Sequence, residues 1–421
     1  MPISLPPLVP VAAFTVALLL AIGCGNNTNN PAANTGSGSG SPSGTGGGPG
    51  GSGSGSGSSG SSSANSAFVY VSTPSISGGP GNTITAYTAA SDGALTPIAG
   101  SPYKTTGQAA AVAASGNLLF VAEGGNIVAY TIGSSGALTA GPTTNAQAHD
   151  IPSTDGFPAS LFTDPGGATL YDLASAGYNL GNQYQAYSIH QKGSLTFLNM
   201  TTQGNPADFW LSFNTNDTFA YGSDCSGGTA NFYAYTRASS GALTYFDPHA
   251  SVPAPPANNP GGTSYCPEGA AVAGNNYVVI ALQLGTSANS YQGTNQLAVY
   301  AIAADGSLST TNTAATMPSL SVSGYANDYA FDPTGTWLAA GGTGGVQIFK
   351  LSGGVLSQTG SLALSGGVSQ LAWDKAGHLY TYGQDSGDLN VLTVTNGVPA
   401  QASGSPYTLP VSSYLAVQPA S

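Results

Sequence analysis

The chain has 421 residues, of which 41% are hydrophobic, 61 are glycine and only 5% are charged. Five Lys and Arg side chains against 17 Asp and Glu give a formal net charge of −12. This balance argues against a nucleic-acid partner and against adsorption of the folded part to anionic lipid, because a phosphate backbone or an acidic bilayer surface would meet no basic patch. The length is ample for one large domain with a buried core.

The first 23 residues are predicted to be a signal peptide of the lipoprotein type. The apolar stretch 11–22 is short for a membrane span and ends in Ala21-Ile22-Gly23-Cys24. This ending resembles the lipobox of bacterial lipoproteins, in which the signal is cut before the cysteine and the cysteine is acylated. We therefore expect lipidation of Cys24, with an ordinary cleaved signal peptide as the alternative. Both alternatives predict that the folded part is exported, and lipidation predicts that it is anchored to the bacterial cell envelope, in the periplasm or at the outer membrane.

Residues 24–66 form a low-complexity linker that is rich in Asn at its start and then in Gly and Ser. Such a composition cannot bury a core and predicts a disordered tether. A random coil of this length spans on the order of 35 Å, and membrane attachment would be through the lipid alone. The folded domain is expected at 67–421.

This domain repeats one predicted hairpin. An aromatic or Leu residue ends a strand, and a turn glycine follows five or six residues later. Seven copies of one hairpin indicate a repeat architecture. The copies are Tyr87 with Gly93, Tyr130 with Gly136, Tyr187 with Gly193, Tyr235 with Gly241, Tyr300 with Gly306, Phe349 with Gly354, and Leu392 with Gly397.

Each hairpin except the first is preceded by another predicted strand pair, such as 109–114 and 118–123. Asp-Pro-x-Gly turns join several of these pairs, as at Asp164-Pro165-Gly166-Gly167, and Asp first and Gly last suit a type I turn. Four antiparallel strands per unit, with a period of roughly 43 to 65 residues, are typical of propeller blades.

The first unit lacks its first strand, and the segment 413–419 at the other end of the chain resembles one. Gly100-Ser101-Pro102-Tyr103 also returns as Gly404-Ser405-Pro406-Tyr407. The sequence therefore predicts an all-β, seven-bladed β-propeller in which the C-terminal strand completes the N-terminal blade. Closing the ring removes exposed sheet edges.

The Asp-Pro-x-Gly turns, the following Leu-Tyr or Phe-Val strands, and the Gly-x-Leu hairpins resemble lactonase-type propellers related to 6-phosphogluconolactonase. That family includes exported bacterial lipoproteins, and the resemblance covers about 67–418. It implies the fold more than an activity, because the shared residues belong to turns and core. A phosphorylated lactone would need Arg or Lys for its phosphate, and of the five only Lys104 lies toward an entering loop. We do not expect 6-phosphogluconolactonase activity, and whether the protein is an enzyme stays open.

Long insertions fall on loops that enter first strands, at 142–158, 247–268 and 312–327, and on loops between second and third strands, at 174–183, 223–231 and 285–296. Both kinds share one face of a propeller, which predicts a ligand face around the channel, with neutral loop growth as the alternative. The residues predicted to contact a ligand there are Gln108, Tyr178, Tyr265, Tyr291 and Tyr325, with Tyr184 as a further aromatic candidate.

Three carboxylates lie at or just before first strands, namely Asp208, Glu268 and Asp328. With His149 on an entering loop, they are the candidate acid and base groups. Converging carboxylates could also bind Ca²⁺, although no cofactor or resident metal is otherwise predicted. The alternative is that they cap strands and face channel water. His190 and His378 are expected to be exposed to solvent.

Cys225 and Cys266 fall on adjacent loops of the same face. In an exported chain they predict a disulfide, worth about 4 kcal/mol in the chain-entropy account, with free thiols as the alternative.

Three functions remain open. The first is a monomeric envelope protein whose propeller binds a small uncharged ligand, such as a sugar, or an envelope partner. The second is a lactonase-like hydrolase of an uncharged lactone, and the third is a purely structural protein. The scarcity of basic and His residues favours the first.

Overall fold

The computed structural model describes residues 67–75, 81–146, 158–175, 182–202, 211–226, 229–257, 264–285, 293–322, 326–360, 362–383 and 385–419. These residues form seven antiparallel sheets, each with four main strands, arranged as the blades of a propeller. The predicted fold class and blade number are confirmed. Within the described ranges no helix is long and apolar enough to cross a bilayer.

The strands follow the chain from blade to blade. Blade 1 has β1 (Ala67–Thr73), β2 (Thr83–Ala89), β3 (Leu95–Pro97), β4 (Tyr103–Lys104) and, from the C-terminus, β31 (Tyr414–Pro419). Blade 2 has β5 (Ala109–Ser115), β6 (Leu118–Glu123), β7 (Asn126–Ile132) and β8 (Leu138–Asn145). Blade 3 has β9 (Pro158–Thr163), β10 (Thr169–Ser175), β11 (Asn182–Ile189) and β12 (Leu195–Thr202), with a 3-10 turn at Gln191–Gly193. Blade 4 has β13 (Ser212–Phe213), β14 (Phe219–Ser226), β15 (Thr229–Arg237) and β16 (Leu243–Phe246).

Blades 5 to 7 continue the series. Blade 5 has β17 (Tyr265–Ala273), β18 (Tyr277–Leu284), β19 (Asn295–Ile302) and β20 (Leu308–Ser309). Blade 6 has β21 (Ala326–Phe331), β22 (Trp337–Gly342), β23 (Gly345–Ser352), β24 (Val355–Gln358) and β25 (Leu364–Ser365). Blade 7 has β26 (Gln370–Trp373), β27 (His378–Tyr382), β28 (Asp388–Thr395), β29 (Val398–Gln401) and β30 (Tyr407–Thr408).

The innermost strands of the blades surround a central channel. They are β31, β5, β9, β13, β17, β21 and β26. A narrow cavity is lined by inner-strand residues from blades 1, 2, 3 and 7, which are Ala111, Val112, Ser160, Leu161, Gln370, Tyr414 and Leu415. Residues from both halves of the chain thus meet around one axis.

The last strand closes the ring as predicted. β31 pairs antiparallel with β1, with Phe68 opposite Gln418 and Val71 opposite Leu415. The hydroxyls of Thr73 and Ser413 add a hydrogen bond of 2.8 Å at one end of this pair. Blade 1 therefore has the same inner, second, third and outer strands as the other blades.

The repeated hairpin glycine has a structural reason. All seven repeat glycines have positive φ, which glycine adopts without strain. They also lie against the preceding blade, so that a Cβ on Gly241 would stand 2.2 Å from Thr169 Oγ1. In three blades a second-strand tyrosine reaches the glycine carbonyl of the next blade, as where the Tyr171 hydroxyl donates to Gly241 at 2.7 Å. The repeat is therefore a contact between blades as well as a turn.

The two Gly-Ser-Pro-Tyr copies are also structurally equivalent. Each copy lies where the outer edge of a blade consists of two short strands, β3 and β4 in blade 1 and β29 and β30 in blade 7. There the serine hydroxyl accepts a hydrogen bond from the third strand, Ser101 from the Ala86 amide at 2.8 Å and Ser405 from the Val391 amide at 2.9 Å. The side chain takes the place of the missing strand partner.

Candidate functional site at the channel mouth

The entering ends of the inner strands and the second-to-third strand connections lie at one face, called here the loop-rich face. Ala109, at the start of β5, pairs with Glu123 at the end of β6. A long connection on this face joins Phe246 to Tyr265, whereas on the opposite face Thr163 and Thr169 are joined by a tight turn. The opposite face, with the Asp-Pro-x-Gly turns and the hairpin glycines, is called the turn face.

A β-bulge recurs where the inner strands reach the loop-rich face. The bulged residues are Ala110 in β5, Ala159 in β9, Glu268 in β17 and Asn327 in β21. A bulge disrupts the strand ladder and re-aims a side chain at the rim of a sheet. Of these four positions only Glu268 places an ionisable residue in the bulge.

Asp328 follows the bulge of β21 and joins two blades. It is fully buried, its Oδ2 accepts the Leu371 amide of blade 7 at 2.6 Å, and its Oδ1 accepts the Tyr329 amide at 2.8 Å. Burial raises the pKa of Asp328 well above its usual range, against the effect of these two amides. The carboxyl group acts as a link between inner strands, so its predicted position at an open mouth is corrected to a buried one.

Gln370 repeats this contact at the next junction. Its Oε1 accepts the Leu415 amide at 2.6 Å and its Nε2 donates to the Ser413 carbonyl at 2.7 Å. A related bond joins blades 4 and 5, where the Ser212 hydroxyl accepts the Val272 amide at 3.0 Å. Several inner-strand polar groups therefore hold neighbouring blades together and are not available to a ligand.

Glu268 differs from Asp328 and Gln370. It is only partly buried, yet its Oε2 atom is enclosed and has no hydrogen-bond partner among the described residues. Burial raises the pKa of Glu268 to about 7, and the charge of Glu268 adds to burial in raising the pKa of Tyr329 on the adjacent inner strand. A carboxyl group that titrates near neutral pH can serve as a proton donor or acceptor.

The strand register explains why the carboxyl group of Glu268 makes no contact between blades. Gly269 occupies in blade 5 the position that Asp328 and Gln370 occupy in blades 6 and 7, so it offers no side-chain acceptor to the next blade. Asp328 instead receives the Tyr329 amide itself. The junction between blades 5 and 6 is satisfied without the carboxyl group of Glu268.

In the other glutamate of the chain, Glu123, both carboxylate oxygens accept hydrogen bonds. Its Oε2 accepts the Thr106 amide at 2.7 Å, the Thr106 hydroxyl at 2.6 Å and the Gly107 amide at 3.3 Å. Its Oε1 accepts the Tyr130 hydroxyl. Glu123 therefore fixes the loop that enters blade 2.

The predicted ligand contacts are only partly on the surface. Gln108 is exposed at the start of β5. Tyr265 is buried and its hydroxyl donates to Gln296, so its expected place on the ligand face is wrong, and Tyr184 is buried as well. The other predicted residues of this face, His149, Tyr178, Asp208, Tyr291 and Tyr325, lie outside the described residues, as does Cys24.

Cys266 is buried and disulfide-bonded. Cys225 lies on β14, but its side chain is outside the described part, so its pairing with Cys266 stays a prediction.

His378 is buried at the junction of blades 7 and 1, so its predicted exposure is wrong, whereas His190 is exposed as expected. The Nδ1 atom of His378 lies 2.7 Å from Asp374 Oδ2, and the ring of His378 also hydrogen-bonds to the backbone of Ser91 in blade 1. Burial lowers the pKa of His378, but the hydrogen bond and charge of Asp374 outweigh it and the net pKa is raised. The imidazole is held on both sides by contacts with blades 7 and 1.

The one arginine of the chain is also committed to structure. Arg237 forms ion pairs with Asp164 and Asp217 between blades 3 and 4, and its Nε donates to the Tyr171 hydroxyl at 2.9 Å. This cluster is on the turn face. Across the ranges that the structure describes, no three His, Cys, Asp or Glu residues come together as a metal site.

Comparison with known proteins shows the fold. No family model and no curated protein matches the sequence. Among solved structures, the periplasmic gluconolactonase PpgL of Pseudomonas aeruginosa is similar at 14% identity and TM-score 0.58, covering 83% of this chain and 99% of that one. A structure described as "a putative 6-phosphogluconolactonase" from Bacteroides fragilis is similar at 14% identity and TM-score 0.57, covering 86% and 98%. The chain has the fold of the lactonase-type seven-bladed propellers.

Proposed function

We propose that the protein is an exported, lipid-anchored and monomeric binding module of the bacterial cell envelope. Its propeller binds an uncharged small molecule, such as a sugar, or an envelope partner at the loop-rich face. The observation that supports this most is the carboxyl group of Glu268 at the channel mouth, which has an enclosed oxygen without a partner. Buried polar groups of this kind cost stability unless a ligand or water completes them.

The proposed tether would leave this face accessible. Ala67, the first described residue, pairs with Pro419 and Ala89 on the turn face. A lipid on Cys24 and the tether 24–66 would therefore connect to the side opposite the loop-rich face. Mass spectrometry of the N-terminal peptide tests the anchor, with an acylated Cys24 at the N-terminus expected and an unmodified N-terminus beyond position 24 contradicting it.

The charge distribution favours an uncharged ligand. The chain carries a net charge of −12, and its one arginine is paired on the turn face. Lys104 is exposed on the short edge strand β4 rather than on an inner strand. A phosphate or carboxylate at the mouth would meet Glu268 without a compensating Lys or Arg among the described inner strands.

A thermal-shift and calorimetric survey of neutral sugars tests the proposal. A ligand at 100 times its Kd should stabilise the fold by about 2.7 kcal/mol. Asp305→Asn, an exposed hairpin change on the turn face, is the matched control and should bind as the wild type does. The absence of any shift or binding heat across the survey would contradict the binding function.

The second candidate is a lactonase-like hydrolase of an uncharged lactone. It is favoured by the pKa of Glu268 near 7 and by the fold shared with a periplasmic gluconolactonase. A hydrolysis screen of neutral δ-lactones should then show turnover that Glu268→Gln abolishes. Wild-type rates equal to the spontaneous rate would remove this candidate.

The disulfide between Cys225 and Cys266 is proposed as a brace of the loop-rich face. Peptide mapping without reduction should recover the two cysteines in one cross-linked peptide.

A further inference from the structure

We propose that Glu268 recognises the ligand of the loop-rich face as a neutral carboxylic acid, donating a hydrogen bond to a carbonyl or hydroxyl oxygen of an uncharged ligand. This inference rests on the proposed function and specifies the chemistry of the same site. It makes ligand binding dependent on a proton that the protein itself carries.

The first step is that the contact between blades 5 and 6 does not use the side chain of Glu268. Its bulge lies at the loop-rich end of β17, and the junction with blade 6 is completed by Asp328. Glu123 shows what a structural glutamate in this fold looks like, because both of its oxygens accept hydrogen bonds. The contrast indicates that the carboxyl group of Glu268, which is only partly buried and lacks a partner for Oε2 among the described residues, can take a partner from outside the chain.

The second step concerns the groups around Glu268. On the blade 6 side, β21 carries Asp328 and Tyr329, both buried. On the blade 4 side, β14 carries Tyr221, whose hydroxyl donates to the Gly306 carbonyl on the turn face, and Asp224, whose side chain lies outside the described part. β15 carries Arg237, which is paired on the turn face, and β18 carries Tyr277 at its turn-face end. Burial is what keeps the proton on Glu268, with its pKa near 7.

The third step compares the competing ligand classes with the groups that the described residues offer. A divalent cation needs six or more oxygen ligands, but the described residues hold no cluster of three His, Cys, Asp or Glu, and both oxygens of Asp328 already accept backbone amides. An anion would meet an acidic protein whose one arginine, in the described part, is paired on the turn face. A neutral acid can donate to an uncharged oxygen without either cost.

The test measures binding of two stable neutral probes by calorimetry at pH 5.5 and pH 8.5. Methyl β-D-glucopyranoside offers hydroxyl oxygens, and 2-piperidone offers a ring carbonyl. A group with a pKa of about 7 is almost fully protonated at the lower pH and roughly 3% protonated at the higher one, so affinity for a bound probe should fall roughly thirtyfold.

Three variants separate the causes. Glu268→Gln keeps a donor that cannot ionise and should bind equally at both pH values, whereas Glu268→Ala should lose binding at both. Asp305→Asn should keep the wild-type pH dependence. Unfolding temperatures of all the variants at both pH values show whether each one remains folded at the assay temperature.

The outcomes distinguish failure of the donor role of Glu268 from failure of the proposed binding function. Binding by wild type and Glu268→Ala alike, without pH dependence, would overturn the role of Glu268 and leave the binding function standing. Affinity that rises with pH would overturn the donor role, because the carboxylate would then be the recognising form. No binding of either probe by wild type at either pH would overturn the inference, and failure of the wider sugar survey would overturn the function as well.

Discussion

Replacement of Leu415 by alanine tests how firmly the last strand belongs to the ring. Leu415 lies on β31, is 5% exposed, and its amide donates to Gln370 Oε1 at 2.6 Å. Removing a buried leucine side chain from a packed core costs about 2–5 kcal/mol. We expect this loss in the free energy of unfolding, measured by denaturant titration with the slope checked for constancy.

Leu371 provides the reference, because it holds the same position in blade 7, whose strands are continuous in sequence. It is 2% exposed, and its amide donates to Asp328 as that of Leu415 donates to Gln370. Leu371→Ala should cost within about 1 kcal/mol of Leu415→Ala, and Val411→Ala, at a half-exposed side chain, within about 0.5 kcal/mol of zero. A full cost at Leu371 with almost none at Leu415 would refute closure by the C-terminal strand.

Two further changes test contacts between blades. Gly241→Ala should lower the free energy of unfolding by more than about 2 kcal/mol, because φ is +100° and the new Cβ meets Thr169. Gly274→Ala, at φ +61° in open space, should lower it only by the backbone strain of about 1 kcal/mol. Equal losses in the two variants would exclude the contact with blade 3. His378 has a raised pKa in the folded state, so its stabilisation is complete below about pH 6.5 and is lost as pH rises through the folded value. The melting temperature should therefore fall between pH 6 and 9 more steeply in the wild type than in His378→Gln, and identical profiles would contradict the buried pair with Asp374.

The blade architecture could be predicted because its signals are local. A turn that needs positive φ selects glycine, and Asp-Pro-x-Gly fixes a type I turn within four residues. Closure followed from a missing strand in the first unit and a matching segment at the end. β6, predicted at 118–123, has the bounds found in the structure.

The inner edge of the sheets could not be predicted in the same way. The segment 247–268 was expected to be an entering loop, but β17 already begins at Tyr265 and passes through a bulge at Glu268. A bulge breaks the two-residue alternation from which a strand is read, so the segment before it resembles a loop. Tyr265 consequently lies in the core instead of on the ligand face.

Contacts between blades also could not be predicted from the sequence. Asp328 and Glu268 look alike as acidic residues near inner strands, but only the adjacent blade shows that Asp328 receives the Leu371 amide. His378 was expected in solvent because its own strand pair has no feature that covers it. The hairpin around Ser91, almost three hundred positions earlier in the chain, encloses it instead.

The titration of the two glutamates by carbon NMR tests the central claim most directly. The chain contains only Glu123 and Glu268, so selective labelling of the glutamate carboxyl carbon gives two signals, and Glu268→Gln assigns them by removing one. We expect the signal that disappears to titrate near pH 7 in the ligand-free wild type. Titration of that signal near its ordinary value of about 4.3 would contradict an enclosed, unpartnered carboxyl group at the channel mouth.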